Sequence, residues 1–244
     1  MRYLVNMKNE KINSKIVVLW NKYFKDNGDV YAPMFYDDFK QGGLLFVGMN
    51  PSFSDRGFRT ILRGTEYENI VPTSFLKWKN ISSNLKLIDD CINIENYSYK
   101  NYKSYFARPV ELAKEVGLDW QHIDIFLYKE TSQTDFKKLI TNGDTFNEFA
   151  NEQISLFEEV LITINPKCII VSNAFGSELL REHIKNDLVW DESRGFHWFT
   201  RGNKKIPIFF SSMLSGQRAL DRWSYERLKW HIGEAVKVTD STTK

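Results

Sequence analysis

Polar side chains follow four apolar segments of the sequence, and these side chains are the candidates for chemistry. The apolar segments are LLFVGM at 44–49, HIDIFLY at 122–128, CIIVS at 168–172 and IPIFFSS at 206–212. At or just after their ends stand Asn50, Lys129, Asn173, Ser211 and Ser212. An asparagine at a strand end can position a water molecule without titrating, which suits a reaction driven by electrostatic stabilisation of charge. Turns also need polar residues, so each cluster alone is equally compatible with a structural role.

The four apolar segments are predicted to be buried strands that place these residues at one edge of a sheet. Nearly continuous hydrophobicity favours parallel strands that are covered on both faces. Helical periodicity is found at 10–24, 109–116, 146–164, 175–184 and 221–236. Strands that alternate with helices predict an α/β fold, a three-layer sandwich around a central, mainly parallel four-stranded sheet. Ligands bind such sheets at the carboxyl ends of the strands.

Between the third and fourth strands the segment LVWDESRGFHWFTRGNKKI is expected to form a hairpin that turns at Arg201-Gly-Asn-Lys. We expect a single domain over residues 1–236 and a flexible tail over 237–244. The chain has 244 residues, of which 42% are hydrophobic and 26% charged, so disorder and fibrous repeats are not indicated. Aromatic residues reach 15%, which leaves some rings free to stack on a ligand.

Several classes of protein lose support from what the sequence lacks. The four histidines and two cysteines show no metal-binding spacing, and no Gly-x-Gly-x-x-Gly or Walker motif is present, so we expect no metal and no cofactor. No signal peptide or apolar run of membrane-spanning length is seen, which predicts a cytoplasmic protein without a membrane partner. A net charge of +2 does not by itself indicate a nucleic-acid partner.

The stretch Gly48-Met49-Asn50-Pro51-Ser52 resembles the first catalytic motif of the uracil-DNA glycosylase superfamily. The segment SSMLSG at 211–216 resembles the place where that superfamily keeps its second motif, and the similarity covers about residues 35–235. The resemblance implies a uracil-DNA glycosylase-like fold and a monofunctional DNA glycosylase. Such an enzyme hydrolyses the N-glycosidic bond of a damaged or modified pyrimidine and leaves an abasic site. A hypermodified phage base is one such substrate, in repair or in defence.

The resemblance also implies roles for individual residues. Asn50 would position the water, and an aromatic ring would stack on the flipped base. We favour Phe58 over Phe53 for that ring, although a place in the core is equally compatible with either. The full set of predicted substrate-binding residues is Gly48, Met49, Pro51, Ser52, Phe53, Phe58 and Asn173.

DNA is the expected partner, and the protein is expected to act as a monomer. Leu214 resembles the apolar wedge that fills the gap left by a flipped base. Arginines and small polar residues beside the two motifs are predicted to contact phosphates. These residues are Arg56, Arg59, Arg63, Ser215, Gly216 and Arg218. A solvated helix start would show much the same composition.

Two departures from the superfamily pattern leave the function open. No histidine stands in SSMLSG to stabilise the departing base, so Ser211 or Ser212 would take that place. No asparagine follows the second strand to read the pyrimidine edge, and Lys129 would contact the base or its charge there, or be a surface lysine. A non-catalytic nucleic-acid-binding protein is therefore the alternative function. An enzyme that acts on free nucleosides or nucleotides is a third.

Overall fold

The computed structural model describes residues 7–27, 29–202 and 204–241, and the chain divides into two compact units. The helical unit comprises Met1–Phe39, Asn50–Lys103 and Phe126–Val160. The sheet unit comprises Lys40–Met49, Ser104–Ile125 and Leu161–Lys244. The single domain expected over residues 1–236 stays a prediction.

Strands and helices alternate along much of the chain. The strands are β1 (Leu44–Gly48), β2 (Trp120–Asp124), β3 (Thr141–Asn142), β4 (Thr145–Phe146), β5 (Cys168–Ser172), β6 (Leu188–Asp191), β7 (Phe196–Arg201) and β8 (Lys204–Ser211). The helices are α1 (Glu10–Phe24), α2 (Asp55–Leu62), α3 (Pro72–Phe75), α4 (Trp78–Ser83), α5 (Leu87–Asn101), α6 (Lys103–Val116), α7 (Gln133–Ile140), α8 (Glu148–Ile164), α9 (Ala174–His183) and α10 (Arg222–Ser241).

A mostly parallel sheet forms the centre of the sheet unit. Its order is β2-β1-β5-β8-β7-β6, and the first four of these strands pair in parallel. They correspond to the four predicted strands, but β2 covers Trp120–Asp124 instead of the predicted 122–128, so Lys129 lies five residues beyond its end. All five residues of both β1 and β5 are buried. Burial on both faces explains why their sequences are continuously apolar instead of alternating.

The prediction of a four-stranded sheet was wrong, because the described part of this sheet has six strands. The expected hairpin does form, but β7 pairs antiparallel with β8 and β6 pairs antiparallel with β7, so the hairpin extends the same sheet. Its turn includes Gly202, whereas Asn203 lies outside the described residues. Mixed sheets of this kind arise because the free edge of β8 offers unpaired backbone groups to the chain that precedes it.

Helices flank this sheet. Side chains of α6 and α10 share one core with alternate residues of the strands, among them Phe46, Ile170 and Phe209. The intervening residues, such as Val47 and Val171, are equally buried and point to the other face. Helix α9 packs against β5 and β8.

The ends of two helices differ from expectation. Helix α6 begins at Lys103, and Pro109 lies inside it instead of at its start, where the preference of proline for the first turn had placed it. Helix α10 continues to Ser241, so residues 237–241 are helical and not a loose tail. Residues 242–244 lie outside the described part of the chain. Among the described residues, no helix combines the length and the apolar character that a membrane crossing needs.

The helical unit has its own core. Trp20 is fully buried and packs edge-on against Phe149, while Phe24 contacts both Phe149 and Tyr128. The buried Asn13 ties α1 to an extended segment, because its amide donates to Tyr36 O at 2.8 Å and accepts from Tyr36 N at 3.0 Å. These contacts stabilise the helical unit, which also contains Asn50 and Lys129.

Candidate functional site

Asn50 stands two residues beyond β1, and its side-chain amide is anchored to the backbone of the helical unit. Nδ2 donates to Glu130 O at 2.7 Å and, at longer range, to Tyr128 O at 3.3 Å. Because both partners are carbonyl oxygens, only the NH₂ end of the amide can face them, and this fixes which way the amide is oriented. No described residue donates a hydrogen bond to Oδ1. The side chain is only half-buried, so Oδ1 is left as an acceptor for water.

The loop around Asn50 is held by paired hydrogen bonds to the segment that contains Glu130. Glu130 N donates to Pro51 O at 3.1 Å. Phe53 N donates to Oγ1 of Thr131 at 3.2 Å, and that hydroxyl donates to Phe53 O at 2.8 Å. Ser52 lies between these bonds and is exposed. The loop that begins at Asn50 is therefore tied to residues 130–131 at two points, Pro51 and Phe53.

Phe53 and Phe58 were the two candidates for the ring that stacks on a base, and they differ in solvent exposure. Phe58 is 7% exposed and belongs to the buried face of α2. Phe53 is half-buried and stacks between Tyr31, at 4.1 Å between ring centroids, and Phe58, at 5.4 Å. Because Tyr31 and Phe58 cover its two faces, a base can stack on Phe53 only if one of these rings moves aside.

Lys129 is not a surface lysine. Its ammonium group donates to Oε1 of Glu95 at 2.6 Å, and the two side chains are only 2% and 13% exposed. The thiol of Cys91 is buried beside this ion pair. Burial raises the pKa of the Cys91 thiol to about 12, and the charge of Lys129 offsets part of that rise. The ammonium group is thus buried against Glu95, and a base would have to enter this buried space to contact it.

A basic face lies on α2, just beyond the Asn50 loop. Arg56 and Arg59 are exposed, three residues apart on α2, and the exposed Arg63 directly follows the last residue of the helix. Arg59 pairs with Asp55 at 2.7 Å, and this pairing lowers the pKa of the Asp55 carboxyl. Arg56 and Arg63 have no carboxylate within salt-bridge distance among the described residues. Two unpaired guanidinium groups therefore face solvent.

In the sheet unit, four residues form a row across the carboxyl ends of the parallel strands. Gly48 pairs with Asp124, Ser172 pairs with Ser211, and the Val47–Val171 pairing brings Ser172 beside Gly48. We call Asp124, Gly48, Ser172 and Ser211 the carboxyl-end row. Asp124 and Ser172 are buried, while Ser211 is half-buried. The row places a carboxylate and two hydroxyl groups where ligands bind in parallel sheets.

Asp124 explains why position 48 is glycine. A Cβ atom at position 48 would overlap Oδ1 of Asp124, so the carboxylate fills the space that any other side chain would need. His122 completes a buried pair, because its Nε2 lies 3.5 Å from Oδ1 of Asp124. Sequence reasoning missed Asp124, although the signal was present as a carboxylate inside the apolar run HIDIFLY.

The serine-rich loop after β8 is positioned from two sides. Oγ of Ser177 donates to Ser211 O at 2.8 Å and accepts from Ser211 N at 3.1 Å. Arg108 of α6 donates to the carbonyl oxygens of Leu214, at 2.7 Å, and Leu220, at 3.1 Å. Arg108 belongs to none of the motifs described above, and the sequence analysis did not identify it as a residue that positions this loop.

Leu214 and Asn173 have structural contacts of their own. Leu214 is buried in the core shared with α6 and α10, so a wedge role would require it to leave that core. Oδ1 of Asn173 accepts from Gly176 N at 2.8 Å and thereby caps α9. Met49 is buried and lies against Gly176 at the same helix start.

The remaining predicted residues of the loop stay accessible. Ser212 and Ser215 are half-buried, and their hydroxyl groups make no hydrogen bond within the described part of the chain. Gly216 has a φ of +83°, a left-handed conformation that favours glycine, and Arg218 is exposed.

The predicted residues are thus divided between the units. Asn50, Pro51, Ser52, Phe53 and Lys129 lie in the helical unit, whereas Gly48, Asn173 and the serine-rich loop lie in the sheet unit. Across the described ranges, no group of three His, Cys, Asp or Glu side chains is arranged to hold a metal ion. No protein-family model matches this chain, and a search of the curated proteins finds no significant match.

Proposed function

We propose that this protein is a monofunctional DNA glycosylase that hydrolyses the N-glycosidic bond of a damaged or modified pyrimidine. The observation that carries the proposal is the anchored amide of Asn50, whose NH₂ group is held by Glu130 and Tyr128 while Oδ1 stays open. An amide fixed in this way is oriented before any substrate arrives. Such preorganisation is a way in which a non-titrating side chain can raise a reaction rate.

The chemistry requires a positioned water. As the bond between C1′ and the base nitrogen breaks, positive charge develops on the sugar and the bonding electrons leave with the base. Oδ1 of Asn50 accepts a hydrogen bond from the water, which directs a lone pair of that water towards C1′. The new C1′–O bond forms, the excess proton passes to solvent, and an abasic site remains. The amide neither gains nor loses a proton in these steps.

Two further features of the helical unit support a DNA substrate. The unpaired Arg56 and Arg63 offer guanidinium groups to phosphates. Phe53 follows Asn50 by three residues and is more exposed than the buried Phe58. We therefore assign the stacking role to Phe53 in place of Phe58, with Tyr31 moving aside so that a base takes its place against the ring. The role of Ser211 and Ser212 in stabilising the departing base stays a prediction.

A second candidate function is non-catalytic nucleic-acid binding, and three specific contacts favour it. Lys129 is held by Glu95, the oxygen of Asn173 caps α9, and Leu214 is part of a core. Each of these side chains was expected to touch the base or the DNA. A protein that binds DNA without releasing a base would need none of them free.

The test is base release under single-turnover conditions. Oligonucleotides that carry a panel of modified pyrimidines are incubated with the protein and heated in alkali, which cleaves abasic sites. Genomic DNA from varied cells and phages is incubated in parallel, and free bases are detected by mass spectrometry. We expect release of at least one base, and we expect Asn50→Ala to slow it by about 100-fold or more.

Two controls separate chemistry from folding. Ser14→Ala changes an exposed serine of α1 that belongs to no predicted site, and it should leave the rate within about twofold of the parent, as expected for a surface substitution. Circular dichroism and thermal unfolding establish that Asn50→Ala is folded, since it loses the bonds to Glu130 and Tyr128. Release by a folded Asn50→Ala variant at the parent rate refutes the role of Asn50. Salt-dependent DNA binding with no release from any substrate selects the second candidate function.

A further inference from the structure

Helix α10 exposes two tryptophan rings that its packing does not require. Trp223 is 71% exposed and Trp230 is 63% exposed. They lie seven residues apart, which is two helical turns, so they share one face of the helix. The opposite face buries Tyr225, Ile232 and Ala235 in the core of the sheet unit. Exposed rings of this size indicate a surface that meets a partner.

Two arginines accompany these rings. The guanidinium group of Arg222 lies 5.3 Å from the centroid of the Trp223 ring, in a cation-π contact. Arg227 is exposed, four residues after Trp223 and three before Trp230, and so belongs to the same face. We call Arg222, Trp223, Arg227 and Trp230 the tryptophan face.

The nearest acidic residues of α10 in the sequence are engaged by other groups. Asp221 is occupied by the start of α10, because its carboxylate accepts from Trp223 N, Ser224 N and Ser224 Oγ, and these bonds lower the pKa of its carboxyl. Glu226 pairs with Lys229 at 3.3 Å. Among the described residues, neither Arg222 nor Arg227 has a carboxylate within salt-bridge distance. The face therefore presents two aromatic rings and two free guanidinium groups.

We propose that the tryptophan face binds single-stranded nucleic acid. Bases without a complementary strand offer their flat faces to aromatic rings, and the phosphates between them attract guanidinium groups. A base-paired duplex hides those faces inside its stack. A second copy of this chain fits less well, because a symmetric dimer would bring the same unpaired charges together. The inference stands apart from base release and needs no glycosylase activity.

The spacing of the rings sets the length of strand that they engage. Seven residues of helix span about 10.5 Å, and stacked bases rise about 3.4 Å each, so the two rings lie about three stacking intervals apart. A short oligonucleotide is therefore long enough to reach both rings. A labelled single strand of about twelve thymidines exceeds that length fourfold and carries no base-pairing partner of its own.

The experiment measures binding of that oligonucleotide to the full chain by fluorescence anisotropy over a range of salt concentrations. We expect the double variant Trp223→Ala/Trp230→Ala to bind at least tenfold more weakly than the parent. The variant Trp223→Phe/Trp230→Phe keeps two rings and should recover most of the affinity. The variant Arg222→Gln/Arg227→Gln should reduce the dependence of log Kd on log salt by roughly one to two.

Trp190 provides the matched control. It is an exposed tryptophan of the same unit, 54% exposed on β6, and its ring packs against His197. Trp190→Ala should bind the oligonucleotide as the parent does. The proposal is overturned if the folded double alanine variant retains the parent affinity, or if Trp190→Ala loses as much. It is also overturned if a duplex of the same length competes equally well. Light scattering that shows a dimer broken by the alanine variant, with unchanged oligonucleotide binding, would assign the face to a second copy instead.

Discussion

The ammonium group of Lys129 lies 2.6 Å from Oε1 of Glu95, although the two residues are separated by 34 positions in the sequence. Both side chains are largely removed from water, at 2% and 13% exposure. In such surroundings a lone charge is costly, since water no longer solvates it. The pair joins α5 to the segment that holds the amide of Asn50, and it therefore links the stability of the helical unit to the candidate site.

Replacing one partner of this pair should be strongly destabilising. Lys129→Met leaves the carboxylate of Glu95 without its partner, and we expect a loss of about 3–5 kcal/mol in the free energy of unfolding. Lys129→Met/Glu95→Leu removes both charges and should lose less than the single variant. Urea unfolding measures both. Lys138→Met, which breaks an exposed pair with Asp135, should cost less than about 1 kcal/mol. Equal losses of stability for Lys129→Met and Lys138→Met would contradict the description of Lys129 and Glu95 as a buried ion pair.

Gly48 should tolerate no larger side chain while Asp124 is present. Gly48→Ala places a methyl group on Oδ1 of Asp124, and we expect a loss of more than about 2 kcal/mol in the free energy of unfolding. Gly48→Ala/Asp124→Ala removes the overlap and should recover part of that loss. Gly233 lies in α10 with open space around it, so Gly233→Ala should be neutral or stabilising by up to about 1 kcal/mol. Chemical denaturation that ranks the two alanine variants in the reverse order would refute the packing argument.

Neither cysteine thiol should react in the folded protein. Burial raises the pKa of Cys91 to about 12, and it raises the pKa of Cys168 as well, because the thiolate form is disfavoured away from water. At pH 8 the thiolate fraction of Cys91 is then on the order of one in 10⁴. Ellman's reagent should release almost no chromophore from the native protein and two equivalents from the urea-unfolded protein. Prompt release of chromophore from the native protein would show that at least one of the two thiols is accessible to the reagent.

Asp191 should stabilise the β6–β7 turn in a pH-dependent way. Hydrogen bonds from Trp198 Nε1, Ser193 Oγ and the side chain of Arg194 hold the pKa of its carboxyl well below the usual range. Since the folded pKa lies below the unfolded one, the stabilisation is full above about pH 4 and is lost as the pH falls towards the folded value. Thermal unfolding should therefore show Asp191→Asn below the parent at pH 6, with the difference shrinking between pH 4 and pH 2. Trp198→Phe removes the principal donor and should weaken this dependence.

The parallel strands and the position of Asn50 at a strand end were predictable because they depend on local sequence. A continuous apolar run signals a buried strand, and the residue after it must lie at the sheet edge. The helices between Asp55 and Asn101 were not predicted, since most are short and their ends depend on contacts elsewhere, such as Val30 O accepting from Trp78 N.

The functional assignments that changed depend on contacts between distant residues. Nothing near Lys129 in the sequence indicates that Glu95 is its partner, and nothing near Leu214 indicates that its side chain completes a core with α6 and α10. The contacts of Asn50 were different, because its partners Tyr128 and Glu130 lie at and just beyond the end of the next predicted strand, 122–128, although that strand itself ends at Asp124. The residues that flank the ends of neighbouring strands lie close together, so the contact between Asn50 and this segment could have been predicted from the sequence.

The chain crosses from one unit to the other at five places, after Phe39, Met49, Lys103, Ile125 and Val160. A single proteolytic nick or a simple truncation therefore cannot release either unit whole. Nascent chain leaving the ribosome completes the sheet unit only after Leu161 onward has been synthesised, even though β1 was made more than a hundred residues earlier. The roles of individual residues must therefore be tested by point substitution, because deletion of a segment would disrupt both units.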